Sequence, residues 1–172
     1  MVSFEFLGIV LSMLGLSVSI IYYSNVLRNA NISREAQLLN SIYQDINNKQ
    51  KWSQIAEITN YEWSDYENFI SKYGVKNNPD AYASWHSIMW TFGGIGHLLR
   101  GRMIDPKRAY NLIGPISIGL WEKFEPIIVG YRVNWKIPEM YATYEYLYRE
   151  MKKLREEGYP NEMLQRFNIN SD

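Results

Sequence analysis

From Phe6 to Leu27 the chain carries no Asp, Glu, Lys or Arg. At a helical rise of about 1.5 Å per residue, these 22 residues reach roughly 33 Å, enough to cross a hydrocarbon core of about 30 Å. Tyr22 and Tyr23 stand where an interfacial aromatic belt would. A cleaved leader would show a basic start, a shorter apolar run and a small-residue cleavage site. Met1 to Glu5 holds no Lys or Arg, and the run is too long. The expectation is an uncleaved transmembrane anchor over residues 1–28.

The flanks set an expected orientation. No Lys or Arg precedes the run, whereas Arg28 and Arg34 follow it closely, with Lys49 and Lys51 beyond. The positive-inside rule then places the N-terminus outside and the rest of the chain in the cytoplasm, at the cell membrane. Asn31-Ile32-Ser33 is a glycosylation sequon that would matter only in the reverse topology. Within the run, Gly8, Ser12, Gly15 and Ser19 recur at steps of 4, 3 and 4 and share one helix face. Small residues let helix backbones approach closely in lipid, so this stripe predicts packing against another transmembrane helix, of a partner subunit or a second copy.

Residues 29–158 read as one helical domain and residues 159–172 as a C-terminal tail that is mobile or forms a short turn around Met163, Leu164 and Phe167. Ile32, Ala36, Leu39, Tyr43 and Ile46 recur at helical spacing. No Pro or Gly stands between Gly15 and Gly74, which lets the anchor continue into this helix. A second short helix would hold Ile55 and Ile58. Ser64-Asp65-Tyr66-Glu67 has the pattern of a capping box and predicts a helix burying Tyr66, Phe69, Ile70 and Tyr73. Asn78-Pro79-Asp80 predicts another start, with a capping Asn, Pro in the first turn and an acid favoured by the helix dipole. The helix it opens, rich in Tyr82, Trp85, Met89, Trp90 and Phe92, is expected at the centre of the bundle. Asp105-Pro106 predicts a short helix to Gly114, and Pro115 opens a further stretch that Pro126 should kink or break. Pro138 is expected to begin a last long helix to Gly158. The fold class is all-α: one transmembrane helix followed by a compact helical bundle.

Composition excludes several functions. Lys+Arg and Asp+Glu are 18 each, so there is no basic excess to displace counterions from nucleic acid. There is no cysteine, which removes disulfides, thiolate chemistry and Cys-ligated metals. Tyr and Trp supply 20 of the 26 aromatic rings (14 + 6, beside 6 Phe), so many rings keep a polar tip for water or a partner.

Certain short stretches carry a family resemblance. They are Ser33-Arg34 with Gln37-Leu38, Trp63 with Asp65-Tyr66 and Phe69, and Tyr73-Gly74 followed by Asn78-Pro79. Gly94-Ile95-Gly96, Leu112-Ile113-Gly114, the run Trp121-Glu122-Lys123-Phe124-Glu125-Pro126-Ile127-Ile128 and Tyr144-Glu145-Tyr146-Leu147-Tyr148 complete the set. Together they resemble a family of small, membrane-anchored helical proteins, frequent in archaea, that is described as a domain of unknown function. The resemblance covers most of residues 30–155 and implies an anchored helical domain, but no activity. Where the family pattern has an acidic residue, this chain has Gly93.

The candidate chemistry is thin. His86 and His97 are eleven apart, which returns to one helix face but about 16 Å along the axis, so they cannot share a metal within one helix. A pocket would need carboxylates from elsewhere, such as Glu122 or Glu125. No Glu-x-x-His pair of a di-metal bundle exists, and no metal or cofactor is expected. Gly93-Gly94-Ile95-Gly96 lacks the strand–loop–helix context of a phosphate loop, so Gly93, Gly94 and Gly96 predict close helix packing. Arg100, Arg102, Lys107 and Arg108 cluster about a turn and could meet anionic headgroups or an acidic partner. No nucleophile elbow or triad signature is present, and no catalytic residue is assigned.

The function these features favour is a non-catalytic accessory or scaffold subunit of a membrane complex, in a narrower form a small subunit of an archaeal membrane enzyme. Its partners would be other transmembrane subunits, itself, and membrane lipid, not nucleic acid. The competing expectation is a membrane-tethered enzyme or ligand sensor with an interhelical pocket at His86, His97, Glu122 and Glu125.

Overall fold

The structure is a computed structural model that describes residues 4–166. Seven helices and no strand are found among them: α1 (Phe4–Ile46), α2 (Lys49–Thr59), α3 (Tyr66–Tyr73), α4 (Pro79–Arg100), α5 (Pro106–Trp135), α6 (Ala142–Glu156) and α7 (Tyr159–Arg166). The chain divides into two compact units after Leu38.

The first unit is the N-terminal part of α1. It is long and apolar enough to cross a membrane, and none of its apolar window is buried. Three serine hydroxyls along it donate back to carbonyls four residues earlier, Ser12 to Gly8 (2.9 Å), Ser17 to Met13 (2.9 Å) and Ser19 to Gly15 (2.8 Å). These bonds satisfy the hydroxyls without water, the arrangement by which Ser is tolerated in an apolar solvent. The periodic stripe expected beyond the anchor is only partly covered. Ile46 is buried, as is Ile42, but Ile32 and Tyr43 are exposed.

The second unit packs α4 against α2, α3 and α6, and α5 against α3 and α6, with α7 on α6. Large rings fill the space between α4 and α5: Trp85 stacks on Tyr131 (centroids 5.3 Å apart) and meets Phe124 edge-on (5.8 Å). The starts of α3, α4 and α5 follow from their caps. Asn78 Oδ1 accepts from Ala81 N (3.1 Å) and Asp105 Oδ1 from Arg108 N (3.0 Å), each ahead of a first-turn Pro. At α3 the cap is Asp65 and not Ser64. Asp65 accepts from Asn68 N (2.8 Å), and Asn68 Oδ1 accepts from Ser64 N (3.3 Å), so the cap moves by one residue while the return bond stays on Ser64. Only Phe69 of that helix is fully buried.

Three expected boundaries move. Residues 106–135 form one helix, not two, and Pro126 does not break it. Pro115 and Pro126 both face outward, so the carbonyls they leave unbonded, at Asn111 and Glu122, belong to exposed residues. The last long helix begins at Ala142 and not at Pro138. Residues 137–141 are a turn held by Arg132 Nε donating to Met140 O (2.9 Å), with Tyr141 in the left-handed region at φ 57°. Beyond Gly158 the chain forms α7, where Tyr159 donates to Asn111 Oδ1 (3.0 Å) and Lys107 meets Glu162 at 3.6 Å. Leu164 is partly buried, while the Met163 side chain and Phe167 lie outside the described residues.

Helix α5 ends with Ile137 N bonded to Arg132 O (3.2 Å) and Lys136 N to Val133 O (3.4 Å), the paired bonds of a Schellman motif. Lys136 occupies the left-handed position, φ 56°, that glycine adopts without strain. Lys136→Gly is therefore expected to stabilise the domain by about 1 kcal/mol, read as a higher urea midpoint at unchanged slope.

Candidate functional site

The residues singled out by sequence fall in separate places. Gly8 and Gly15 are open, with nothing within 4 Å of where a side chain would begin. On α4, Gly93 and Gly96 are buried and turn towards α6, while Gly94 is exposed with nothing near it. A Cβ on Gly96 would fall well inside contact distance of Thr143 O and 2.7 Å from Thr143 C, so this glycine permits a close α4–α6 approach. Of the basic group, Lys107 is taken up by Glu162 and lies 4.9 Å from the Tyr159 ring centre. Arg100 and Arg102 are exposed, Arg102 in the left-handed position that closes α4 (φ 54°).

The four proposed pocket residues do not form one pocket. His97 is exposed in the last turn of α4. Glu122 and Glu125 are exposed on α5, and Glu122 binds Lys152 (3.2 Å) and Tyr148 (3.4 Å). Among the described residues no group of three or more His, Cys, Asp or Glu is placed to hold a metal ion.

His86 alone leads to a polar cluster inside the domain. Its Nδ1 meets the hydroxyl of Tyr141, fifty-five residues later. Its ring lies 4.0 Å from the Tyr82 ring centre and 5.7 Å from that of Tyr131, and Tyr66 meets Tyr131 edge-on at 5.4 Å. Two helix starts, a helix end and a turn build this group: Tyr66 opens α3, Tyr82 and His86 lie in the first two turns of α4, and Tyr131 lies near the end of α5. The strained Tyr141 backbone delivers its ring from the turn before α6. A non-glycine left-handed residue costs on the order of 1 kcal/mol, so the surrounding contacts must hold it. Gly130 leaves room for Tyr66, since a Cβ there would lie 2.6 Å from Tyr66 Cγ.

The electrostatics of the cluster are those of neutral groups, buried at Tyr131 and Tyr141 and half-buried at His86. Burial pushes the Tyr131 and Tyr141 hydroxyls well above the ordinary phenol range, and the neighbouring tyrosine oxygens push the same way. Burial lowers His86 to about 4. Three polar atoms here find no hydrogen-bond partner among the described residues: Tyr131 Oη, His86 Nε2 and Trp85 Nε1. A buried donor without an acceptor costs about 1–3 kcal/mol, so the cluster stores unused hydrogen-bonding capacity. None of Tyr66, Tyr82, Tyr131 or Tyr141 was singled out as a site from sequence. Only the repeated Tyr and Trp content hinted at them, and core packing uses the same residues.

The His86 shift makes stability depend on pH. An unfolded histidine titrates near 6.5, the folded one near 4, so between these values the unfolded chain holds more protons. Stability is then expected to fall as pH drops from about 6.5 to about 4 and to change no further through this group below that. Discounted for its partial exposure, the loss is on the order of 2 kcal/mol. Urea midpoints across this range test it: His86→Phe should flatten that part of the profile, and an unchanged slope would mean His86 is not held neutral.

A second, shallow feature of about 420 Å³ is lined by Tyr61, Glu62, Trp63 and Lys123. Lys123 Nζ donates to Thr59 O (2.5 Å) and lies 5.1 Å from the Trp63 ring centre, which ties α5 to the last residue of α2 and to the segment that follows it.

Compared with known proteins, residues 3–151 match a family model described as a domain of unknown function, DUF4760. No curated protein and no solved structure matches the chain.

Proposed function

The chain belongs to the DUF4760 family, and we propose that it is a membrane-anchored accessory or scaffold subunit of a membrane protein complex, without catalytic activity of its own. The observation that carries this reading is the wholly uncovered apolar surface of α1 from Phe6 to Leu27. Such a surface needs lipid or a partner to remove it from water. Arg28 and Arg34 beyond its C-terminal end favour a cytoplasmic helical domain. Gly8, Ser12, Gly15 and Ser19 supply a small-residue face for a neighbouring transmembrane helix. The test is mild-detergent solubilisation of native membranes, then a native gel and mass spectrometry of what migrates with the chain. One large complex of fixed stoichiometry is the expected result; migration alone, near its own mass, would overturn the subunit reading.

A second reading, a tethered ligand sensor, is favoured by His86 Nε2 and Tyr131 Oη, buried and without a partner among the described residues. It requires that His86→Ala and Tyr131→Phe abolish a ligand-induced thermal shift that the unaltered chain shows.

A further inference from the structure

A line of touching rings crosses the helical domain from one exposed indole to another. Trp90 of α4 is 66% exposed, and its ring neighbour among the described residues is Tyr141, with 5.7 Å between centres. Tyr141 meets Trp85 (5.8 Å), Trp85 stacks on Tyr131 (5.3 Å), and Tyr131 meets Trp135 (5.4 Å), the last residue of α5 and itself 50% exposed. The three inner rings are buried. Every separation lies in the range of packed aromatic pairs, roughly 4.5–7 Å. In a chain without cysteine, indole and phenol rings are the groups that most readily give up a single electron, and rings in contact pass the vacancy on.

Tyr141 has the partner that a redox tyrosine requires. A phenol that loses one electron becomes a very strong acid, and burial favours the neutral radical, which forms when a base in contact takes the proton. The Tyr141 hydroxyl meets Nδ1 of His86. A phenol is a much stronger acid than a neutral imidazole N–H, so the hydroxyl donates and Nδ1 accepts. Burial lowers His86 to about 4, which keeps the imidazole neutral at rest, yet far more basic than an oxidised phenol. Other buried tyrosines are placed differently. Tyr144 donates to the Ser117 carbonyl (2.9 Å), which is no proton acceptor, and Tyr131 Oη has no partner among the described residues. Tyr61 meets the Glu57 carboxylate (2.6 Å), but Phe69, which does not oxidise readily, stands between its Tyr73 neighbour and Trp85. The left-handed Tyr141 backbone, at φ 57°, is local strain held where the hydroxyl reaches the imidazole.

We propose that Tyr141 and His86 form a redox-active pair that holds one oxidising equivalent, taken up through Trp90 from a one-electron outer-sphere oxidant at the domain surface. Tyr141 loses one electron, by way of the Trp90 ring, and the oxidant is reduced by one. The Tyr141 O–H bond breaks, its proton forms an N–H bond at His86 Nδ1, and a neutral phenoxyl faces an imidazolium. Return of one electron sends the proton back along the same hydrogen bond. Trp85 and Tyr131 continue the line to Trp135, the second exposed end, where the equivalent can leave. The relay goes beyond the subunit reading and does not rest on it, because every ring belongs to the helical domain.

The absence of cysteine lets an oxidant be fixed at one site. Gly94 is exposed, has nothing within 4 Å of a new Cβ, and lies one helical turn from Trp90. Gly94→Cys in the full chain, in detergent, is labelled with a ruthenium polypyridyl complex. A laser flash with an irreversible electron acceptor then leaves ruthenium(III) beside Trp90. Transient absorption and electron paramagnetic resonance should show a neutral phenoxyl radical. Tyr141→Phe, which keeps the ring, should lose the phenoxyl and leave an indole radical. His86→Gln, which can accept the hydrogen bond but not the proton, should lose it too. Trp90→Phe, at an exposed position that leaves the core intact, should slow its formation. No phenoxyl in the labelled parent chain would overturn the pair, as would a phenoxyl that survives Tyr141→Phe or His86→Gln. An unchanged rise in Trp90→Phe would overturn Trp90 as the entrance.

Discussion

Gly96→Ala should destabilise the helical domain by about 3 kcal/mol, although alanine is the better helix former by about 1 kcal/mol. The new methyl would press on the carbonyl of Thr143, a backbone group that cannot rotate away, and would lie 3.2 Å from Leu147 Cβ. Relief requires α4 and α6 to separate, and their shared face buries Phe92 stacked on Tyr144 at 5.2 Å. Moving that face apart forfeits dispersion contacts along its whole length. Gly94→Ala supplies the internal comparison. It lies in the same helix, exposed, with nothing within 4 Å, and should stabilise the domain by about 0.5–1 kcal/mol. Urea unfolding of both variants decides the matter. Opposite signs would identify Gly96 as the contact point; two stabilised proteins would mean that α4 and α6 do not approach as described.

That pair also marks the limit of sequence reasoning. The triplet Gly93, Gly94 and Gly96 announces a seam because three glycines weaken a helix unless something needs the space. Which of them faces inward depends on the rotation of α4, which the partner helix sets. Local chemistry was legible wherever it acts within one turn. The charge-free run produced a long apolar helix, and Asn78-Pro79 and Asp105-Pro106 start helices where their caps predict. Pro126 misled because a proline's effect on a helix depends on which way it faces. Turned outward, it frees a carbonyl that needs no partner inside the domain. Pro138 misled for the opposite reason: a tertiary demand, the delivery of Tyr141 to His86, holds the chain out of the helix for four further residues. The Tyr–His cluster joins α3, α4, α5 and the turn before α6, and such convergence leaves no spacing to read.

Trp85→Ala should remove about 4 kcal/mol of stability, much of what a domain of this size possesses. Trp85 is fully buried, and its ring meets Phe69 of α3, Phe124 and Tyr131 of α5, and Tyr141 before α6. α4 and α5 are joined through these rings, so truncation leaves a cavity between two helices whose backbones have little other contact. The variant is expected to unfold at a much lower urea midpoint, with loss of the near-ultraviolet signal of the ring cluster. Trp85→Phe separates volume from polarity. It keeps a ring in place and removes an indole N–H that is buried without an acceptor among the described residues. Relief of that donor, about 1–3 kcal/mol, offsets most of the lost ring volume, and the net cost should be within about 1 kcal/mol. A cost close to that of Ala would mean that the lost ring volume dominates or that the N–H is satisfied by a bound water or other molecule. A ligand-induced thermal shift that Trp85→Phe abolishes would separate the tethered-sensor reading from a cluster that serves the core alone.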